Sequence, residues 1–210
     1  VQLLIKKIFG IPVALRVNKG PIFLDSYLTL DNEMTVIAEI RKNYSLRPFF
    51  YVPYTPYTED NLRKMLLGGW KIWDRFGFPS GYIDLSIPEE KIRAQLDSKW
   101  RNQLKTAEKK DFVIKSDFQR YEEMLRLYQE EQRDKGFQGV SQKILENLGK
   151  EPSPLKILYV LNEAEEMIAF DMFYVHGKDA TYYIGWNSEE GRRNYLNNLL
   201  LYYGAIELRN

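Results

Sequence analysis

The chain has 210 residues, 44% hydrophobic and 28% charged, with a formal net charge of +1. That composition is globular and leaves room for one large domain or two small ones, and a charge so near zero argues against broad non-specific nucleic-acid binding. With no Cys and His176 as the single His, a disulfide framework, a thiol nucleophile, Cys-based metal sites and paired-His metal sites are excluded, and no apolar stretch reaches the roughly 18 residues that span a bilayer.

Residues 2–17 read as two strands broken by Gly-Ile-Pro, and Asn-Lys-Gly-Pro at 18–21 as a turn. The spacing of Met34, Ile37 and Ile40 or Arg41 predicts a helix over 31–44, followed by an aromatic strand over 47–54. Thr58 and Gly68 bound a short helix, and the stretch 68–81, rich in Gly and aromatics, is a loop in which the domain boundary is placed. Residues 81–86 then read as a strand. Ser86 and Glu89 have capping-box spacing with Pro88 in the first turn, so one helix is predicted from 88 to 110, its stripe formed by Ile92, Leu96, Trp100, Leu104 and Ala107.

A strand over 111–116 follows, then a helix over 118–136 with Phe118, Tyr121, Leu125 and Tyr128 inward. A shorter helix is capped by Ser141 and closed by Gly149, and 151–154 form a loop. Three strands, 155–162, 166–177 and 180–187, have connections so short that an antiparallel meander is expected. A last helix from 195 sets Leu196, Leu199, Leu200 and Tyr203 on one face. Helices, then an antiparallel sheet, then a closing helix is α+β order. The start lacks Met and the end falls inside a helical pattern, so the chain reads as an internal piece of a longer protein.

The candidate chemistry is concentrated in three places. Lys99, Arg101, Lys105, Lys109 and Lys110 crowd a twelve-residue stretch of a nearly neutral chain. On a helix Arg101, Lys105 and Lys109 align at i, i+4 and i+8 with Asn102 beside them, a face that suits a pyrophosphate. By pattern alone it is more often a solvated face, since Asp97 and Glu108 offset part of the charge. Arg133 and Lys135 close the 118–136 helix where cations complement its dipole, which by pattern is helix punctuation. Tyr182 and Tyr183 point to opposite faces of one strand beside Gly185, which lets a ligand approach the backbone. Arg192 and Arg193 precede a helix start that Asn194 caps, an arrangement favourable to an anion. His176 reads as a surface residue at a hairpin end, and Asp84, Glu163 and Asp171 form no carboxylate pair of catalytic spacing. Neither G-x-x-x-x-G-K-[ST] nor G-x-G-x-x-G occurs.

Four collinear segments resemble the FemABX-like aminoacyltransferases. YIDLSIPEEKIRAQLDSKWRNQLKTAEKKDFVI at 82–114 resembles that family's strand–helix–strand signature, and EEQRDKGF at 130–137 resembles its T-x-x-R-d-G-F stretch. ATYYIGWNSEEGRRNYLNNLLLYYGAIE at 180–207 resembles its a-x-Y-x-x-G segment and the helix after it, and LRVNKGPIFLD at 15–25 is similar to its Y-x-P-r-G-P turn. The resemblance implies two GNAT-like units with mixed, largely antiparallel sheets flanked by helices. Residues 1–80 would be part of the first and 81–210 the second, C-terminally incomplete. It implies an amide-forming acyltransferase that moves an amino acid from aminoacyl-tRNA to an amine of a peptidoglycan precursor carrying a pyrophosphate. Such an enzyme acts in the cytoplasm or, through peripheral contact, at the inner face of the membrane, with no metal and no cofactor beyond the tRNA donor.

By the resemblance Arg133 and either Tyr182 or Tyr183 are acceptor-site candidates, Lys99, Arg101 and Asn102 are candidate anion contacts, and Asn197 is a structural or polar-site residue; Arg192 joins them from its place before a helix. Three departures stand out: Asp111 replaces a Gly after AEKK, KWRN is not the commonest form of that core, and the family's downstream D-f-G-G-like strand is absent. The catalytic Lys or oxyanion donor expected there lies beyond Asn210, so catalytic residues stay unassigned. Two other classes remain open: an acyl-CoA-dependent N-acyltransferase of the same fold, acting on a polysaccharide or small molecule, and a non-catalytic GNAT-like binding module. The loop that would cradle a CoA pyrophosphate, NSEEGRRNYLNN at 187–198, holds one Gly, which argues against CoA unless Arg192 and Arg193 supply the charge.

Overall fold

Leu3–Ile8 (β1) and Ile11–Asn18 (β2) form an antiparallel hairpin whose two-residue turn, Phe9 (φ 48) and Gly10 (φ 80), has the positive φ values of a type I′ turn. Phe49–Val52 (β3) adds to β2 in parallel, giving the order β1-β2-β3, so this sheet is mixed. A parallel neighbour needs a crossover, and Leu30–Lys42 (α1) lies between β2 and β3 in the chain, its N-terminus capped by the Thr29 hydroxyl, which accepts from the Asn32 N–H. Glu59–Leu67 (α2) is bounded by Thr58 and Gly68, as its sequence signals predict. Glu33, expected on no apolar face, is buried: its carboxylate accepts from the Tyr51 hydroxyl at 2.5 Å and the Thr55 N–H at 2.9 Å, tying α1 to β3 and the segment after it. Burial, and secondly the Glu33 hydrogen bond, raise the Tyr51 phenol far above its ordinary value.

The computed structural model describes residues 2–18, 20–21, 29–44, 46–73 and 81–209. The turn at 18–21 is therefore described only in part, and the end of the 68–81 loop lies outside the described residues. The chain divides into two compact units, Val1–Pro79 and Ser80–Asn210.

The second unit departs first from its sequence expectation at residues 81–86, which form no strand. The Asp84 carboxylate accepts from both the N–H and the hydroxyl of Ser86, a local turn that competes with any ladder. Ser86 is thereby taken out of the capping box. Glu89–Gln95 (α3) begins after Pro88 without a side-chain cap, and Glu89 instead accepts from the Tyr202 hydroxyl at 2.9 Å.

The helix predicted from 88 to 110 is two helices. Leu96 turns extended (ψ 140), and Asp97 caps Ser98–Glu108 (α4) by accepting from the N–H groups of Lys99 and Trp100. The apolar stripe survives the break because Ile92, Leu104 and Ala107 all reach one buried cluster, with Leu96 and Trp100 packed against it. Asp97→Ala is expected to lower the urea midpoint by the equivalent of about 1 kcal/mol, the usual worth of such a cap. A single continuous helix would give almost no change.

The expected strand at 111–116 shrinks to Ile114–Lys115 (β4). Tyr121–Lys135 (α5) starts three residues late and ends at Gly136 in the left-handed conformation; Tyr121, Met124, Leu125 and Tyr128 are buried while Phe118 stays partly exposed. Gln142–Lys150 (α6) contains Gly149 rather than stopping at it, and its Ser141 cap makes no side-chain hydrogen bond. Leu155–Leu161 (β5), Met167–His176 (β6) and Asp179–Asn187 (β7) form the expected antiparallel meander, in the order β4-β5-β6-β7.

Both faces of this sheet are covered. Alternate residues Leu158, Val160, Ala169 and Phe173 pack with α4 and Leu196–Glu207 (α8), while Ile157, Tyr159, Phe170 and Met172 pack with α5 and α6. Central strand β6 is consequently buried at every position from Met167 to Phe173. On α8, Leu196, Leu199 and Leu200 face the core as predicted, but the next inward aromatic is Tyr202; Tyr203 is 40% exposed. Arg192 and Arg193 lie before that helix but not at its capped start. They end a short helix, Glu189–Arg193 (α7), capped by Ser188, and Tyr195 rather than Asn194 occupies the N-cap position of α8.

Candidate functional site

Asp171 lies in the middle of the buried β6 run and is 0% exposed. Its Oδ1 accepts from the Tyr182 hydroxyl at 3.4 Å, and its Oδ2 has no partner. The register explains how the two meet. Asp171 pairs with Gly185, and a bulge after Met172 makes Phe173 face Tyr182, so Tyr182 and Gly185 come to the same face as Asp171. A Cβ on Gly185 would lie 2.1 Å from the Tyr182 hydroxyl and 2.4 Å from Asp171 Oδ1. The absent side chain is the space in which the pair forms.

Burial pushes the Asp171 carboxyl well above the ordinary carboxylate value, and the Tyr182 hydrogen bond opposes that shift only in part. The Tyr182 phenol is raised too, first by burial and then by the neighbouring Asp171, although its ring edge leaves the residue 44% exposed. The arrangement is a buried carboxyl, raised in pKa, paired with a phenol on the edge strand β7. A neutral carboxyl can donate as well as accept a hydrogen bond, and a phenol committed to it offers its oxygen as an acceptor.

The remaining candidates fall in separate places. Tyr183 lies on the opposite face from Tyr182, half-buried against Tyr174. The Arg192 guanidinium donates to the Asn187 carbonyl at 2.7 Å and lies 3.9 Å from Glu131, so its charge is partly matched within the fold. Arg133 is exposed and lines a cleft of about 410 Å³ with Arg126, Gln129, Gln132, Phe137 and Gln142. On a helix, Arg133 is turned about 200° from Glu131, away from the Arg192 side. Lys99 and Asn102 are exposed on α4, whereas Arg101 donates to the Ala94 carbonyl at 3.1 Å, closing the end of α3. Asn197 is exposed; its neighbour Asn198 is buried and donates to Gln103. Asn194 accepts from Lys110.

Sequence reasoning weighs Asp171 only as a member of a carboxylate pair and assigns it no role, and it passes over Asn187, Asn198 and Glu33. The signal for Asp171 was present, a lone carboxylate in the otherwise apolar run Ile-Ala-Phe-Asp-Met-Phe. Among the described residues no helix is long and apolar enough to cross a membrane.

No protein-family model and no curated protein matches this sequence. Among solved structures, the crystal structure of FemX matches with a TM-score of 0.67 and 13% identity, covering 99% of this chain and 72% of that one. The fold is similar to that of FemX. The mixed α+β architecture, two sheets flanked by helices, is consistent with a GNAT-like fold, and the likeness to FemX rests on structure rather than on sequence.

Proposed function

We propose that the chain is an amide-forming acyltransferase of the Fem type, which moves an amino acid from aminoacyl-tRNA to an amine of a peptidoglycan precursor on the cytoplasmic side. The observation that carries this reading is the FemX-like fold over nearly the whole chain, joined to the four sequence segments that resemble the family. In the reaction the acceptor amine attacks the ester carbonyl. A C–N bond forms, the ester C–O bond breaks, and the proton lost by the amine leaves with the tRNA hydroxyl. Catalysis of this kind is chiefly positioning and stabilisation of the developing oxyanion.

Tyr182 suits the positioning role, since its hydroxyl donates to Asp171 and leaves the phenol oxygen as an acceptor for an N–H of the amine. Lys99, Asn102 and Arg133 are exposed donors available to phosphate groups.

The test is transfer of a labelled amino acid from charged tRNA to a nucleotide-linked muropeptide by the full chain, run beside a thermal-shift titration with acetyl-CoA. Transfer without stabilisation by acetyl-CoA is the expected result. Tyr182→Phe should lower kcat/KM about tenfold, the worth of one orienting hydrogen bond, and should also cost about 1–3 kcal/mol of stability, because the buried Asp171 carboxyl loses its Tyr182 partner. Stabilisation by micromolar acetyl-CoA with no transfer from tRNA would replace the reading by a CoA-dependent one, and neither response would leave a binding module.

A further inference from the structure

The β1–β2 hairpin carries apolar residues where they do nothing for the fold. Phe9, at the first turn position, is 99% exposed, and its flanking residues Ile8 and Ile11 are 50% and 61% exposed. Burial along β2 begins only at Leu15 and Val17, while β1 is exposed at each residue from Leu4 to Ile8. The distal half of the hairpin therefore stands clear of its own core. Its backbone makes the point sharper. A type I′ turn puts positive φ at both central positions, where Asn-Gly is the favoured pair and a bulky aromatic is strained. Phe9 is thus neither packed nor relaxed.

The charge on this hairpin is of one sign. Residues 2–18 contain Lys6, Lys7 and Arg16 and no acidic residue. Arg47 adds a fourth cation at the hairpin, donating to the Pro12 carbonyl at 2.5 Å. A bulge between Lys6 and Lys7 interrupts the ladder just behind the tip. A protruding aromatic flanked by two isoleucines, with cations a few residues behind it, matches a layered partner: hydrocarbon under an anionic surface.

We propose that the β1–β2 hairpin is a wedge that docks the protein on an anionic bilayer, Phe9, Ile8 and Ile11 entering the acyl boundary while Lys6 and Lys7 meet the headgroups. The proposal stands apart from the acyl-transfer reading and needs no activity to be tested.

The probe is co-sedimentation of the full chain with vesicles of phosphatidylcholine, with and without phosphatidylglycerol. The wild type is expected to bind the phosphatidylglycerol vesicles, to bind plain phosphatidylcholine weakly, and to be released by salt. Phe9→Asp should lower the partition coefficient at least about tenfold, and Lys6→Gln with Lys7→Gln should abolish the preference for the anionic lipid. Phe9→Asn separates docking from folding, because it relaxes the turn and removes the apolar tip. It should raise the thermal midpoint while lowering vesicle binding. A wild type that ignores both vesicles, or a Phe9→Asn protein that binds as the wild type does, overturns the proposal. So does loss of a concentration-dependent dimer on Phe9→Asp without any lipid binding, which would assign the tip to a second copy of the chain.

Discussion

Asp171→Asn is expected to make the protein more stable at neutral pH, by a margin that widens as pH rises from about 4. The folded carboxyl is sealed in the middle of β6 with one oxygen unpaired, so burial holds its proton on. The unfolded chain releases that proton at the ordinary aspartate value, about 3.9. Between the two values the native state binds more protons than the unfolded one, and stability then falls with pH, by up to about 1.4 kcal/mol for each unit crossed. Asn has the same shape and no proton to lose. The two proteins should unfold at similar urea concentrations near pH 4, and the wild type should fall behind steadily above it. A difference that stays constant from about pH 4 to pH 8 would show that Asp171 is ionised in the folded protein. Asp171→Ala behaves differently, because it leaves the Tyr182 hydroxyl without its acceptor and opens a cavity. It should be less stable than the Asn variant at every pH.

The contrast between Asp171 and Tyr182 shows what one-dimensional reading recovers. A tyrosine beside a glycine on a strand is visible as a pattern, and so are the three strands of the meander, because connections that short permit no other pairing. Asp171 as the partner of Tyr182 follows only from cross-strand register and from one extra residue, Tyr183, in β7 opposite the Met172–Phe173 step, neither of which is written locally. The helix break at Asp97 was hidden for a different reason. The apolar stripe continues through it, and only the competition between a carboxylate cap and helical continuity decides the outcome. At Asp84 the same chemistry wins again, a short side chain bonding its own backbone neighbourhood in place of a strand. On the last helix one residue of phase, about 100°, separates the exposed pair Asn197 and Tyr203 from the buried pair Asn198 and Tyr202.

Placement also constrains how the basic residues can serve one reaction. Lys99 and Asn102 belong to the helix layer over one face of the sheet, Arg133 to the layer over the other. Packed layers are separated by roughly 10 Å each, so a single pyrophosphate, only a few ångströms long, cannot touch both. If both groups bind phosphate, they bind different phosphates.

Gly191→Ala is the second large effect, an expected loss of about 2–4 kcal/mol read from the urea midpoint. A Cβ there would lie 2.2 Å from the Ile168 carbonyl oxygen and 3.0 Å from Asn187 Oδ1. The carbonyl belongs to β6, which is buried and hydrogen-bonded on both sides and has nowhere to retreat, so α7 must lift instead. Lifting it sacrifices the Ser188 N–H bond to that carbonyl, 2.9 Å long, beyond the overpacking itself. Ser188→Ala provides the comparison. It removes only the hydroxyl that accepts from the Gly191 N–H, and should cost about 1 kcal/mol. Equal losses for the two variants would mean that α7 does not press on β6 as described. The same packing bears on the acyl donor. The N–H groups of Ser188, Gly191 and Arg192 are already bonded, leaving those of Glu189 and Glu190, whose own carboxylates repel a pyrophosphate. A strand-to-helix turn closed in this way is a poor cradle for CoA, and opening it with Gly191→Ala should create no response to acetyl-CoA.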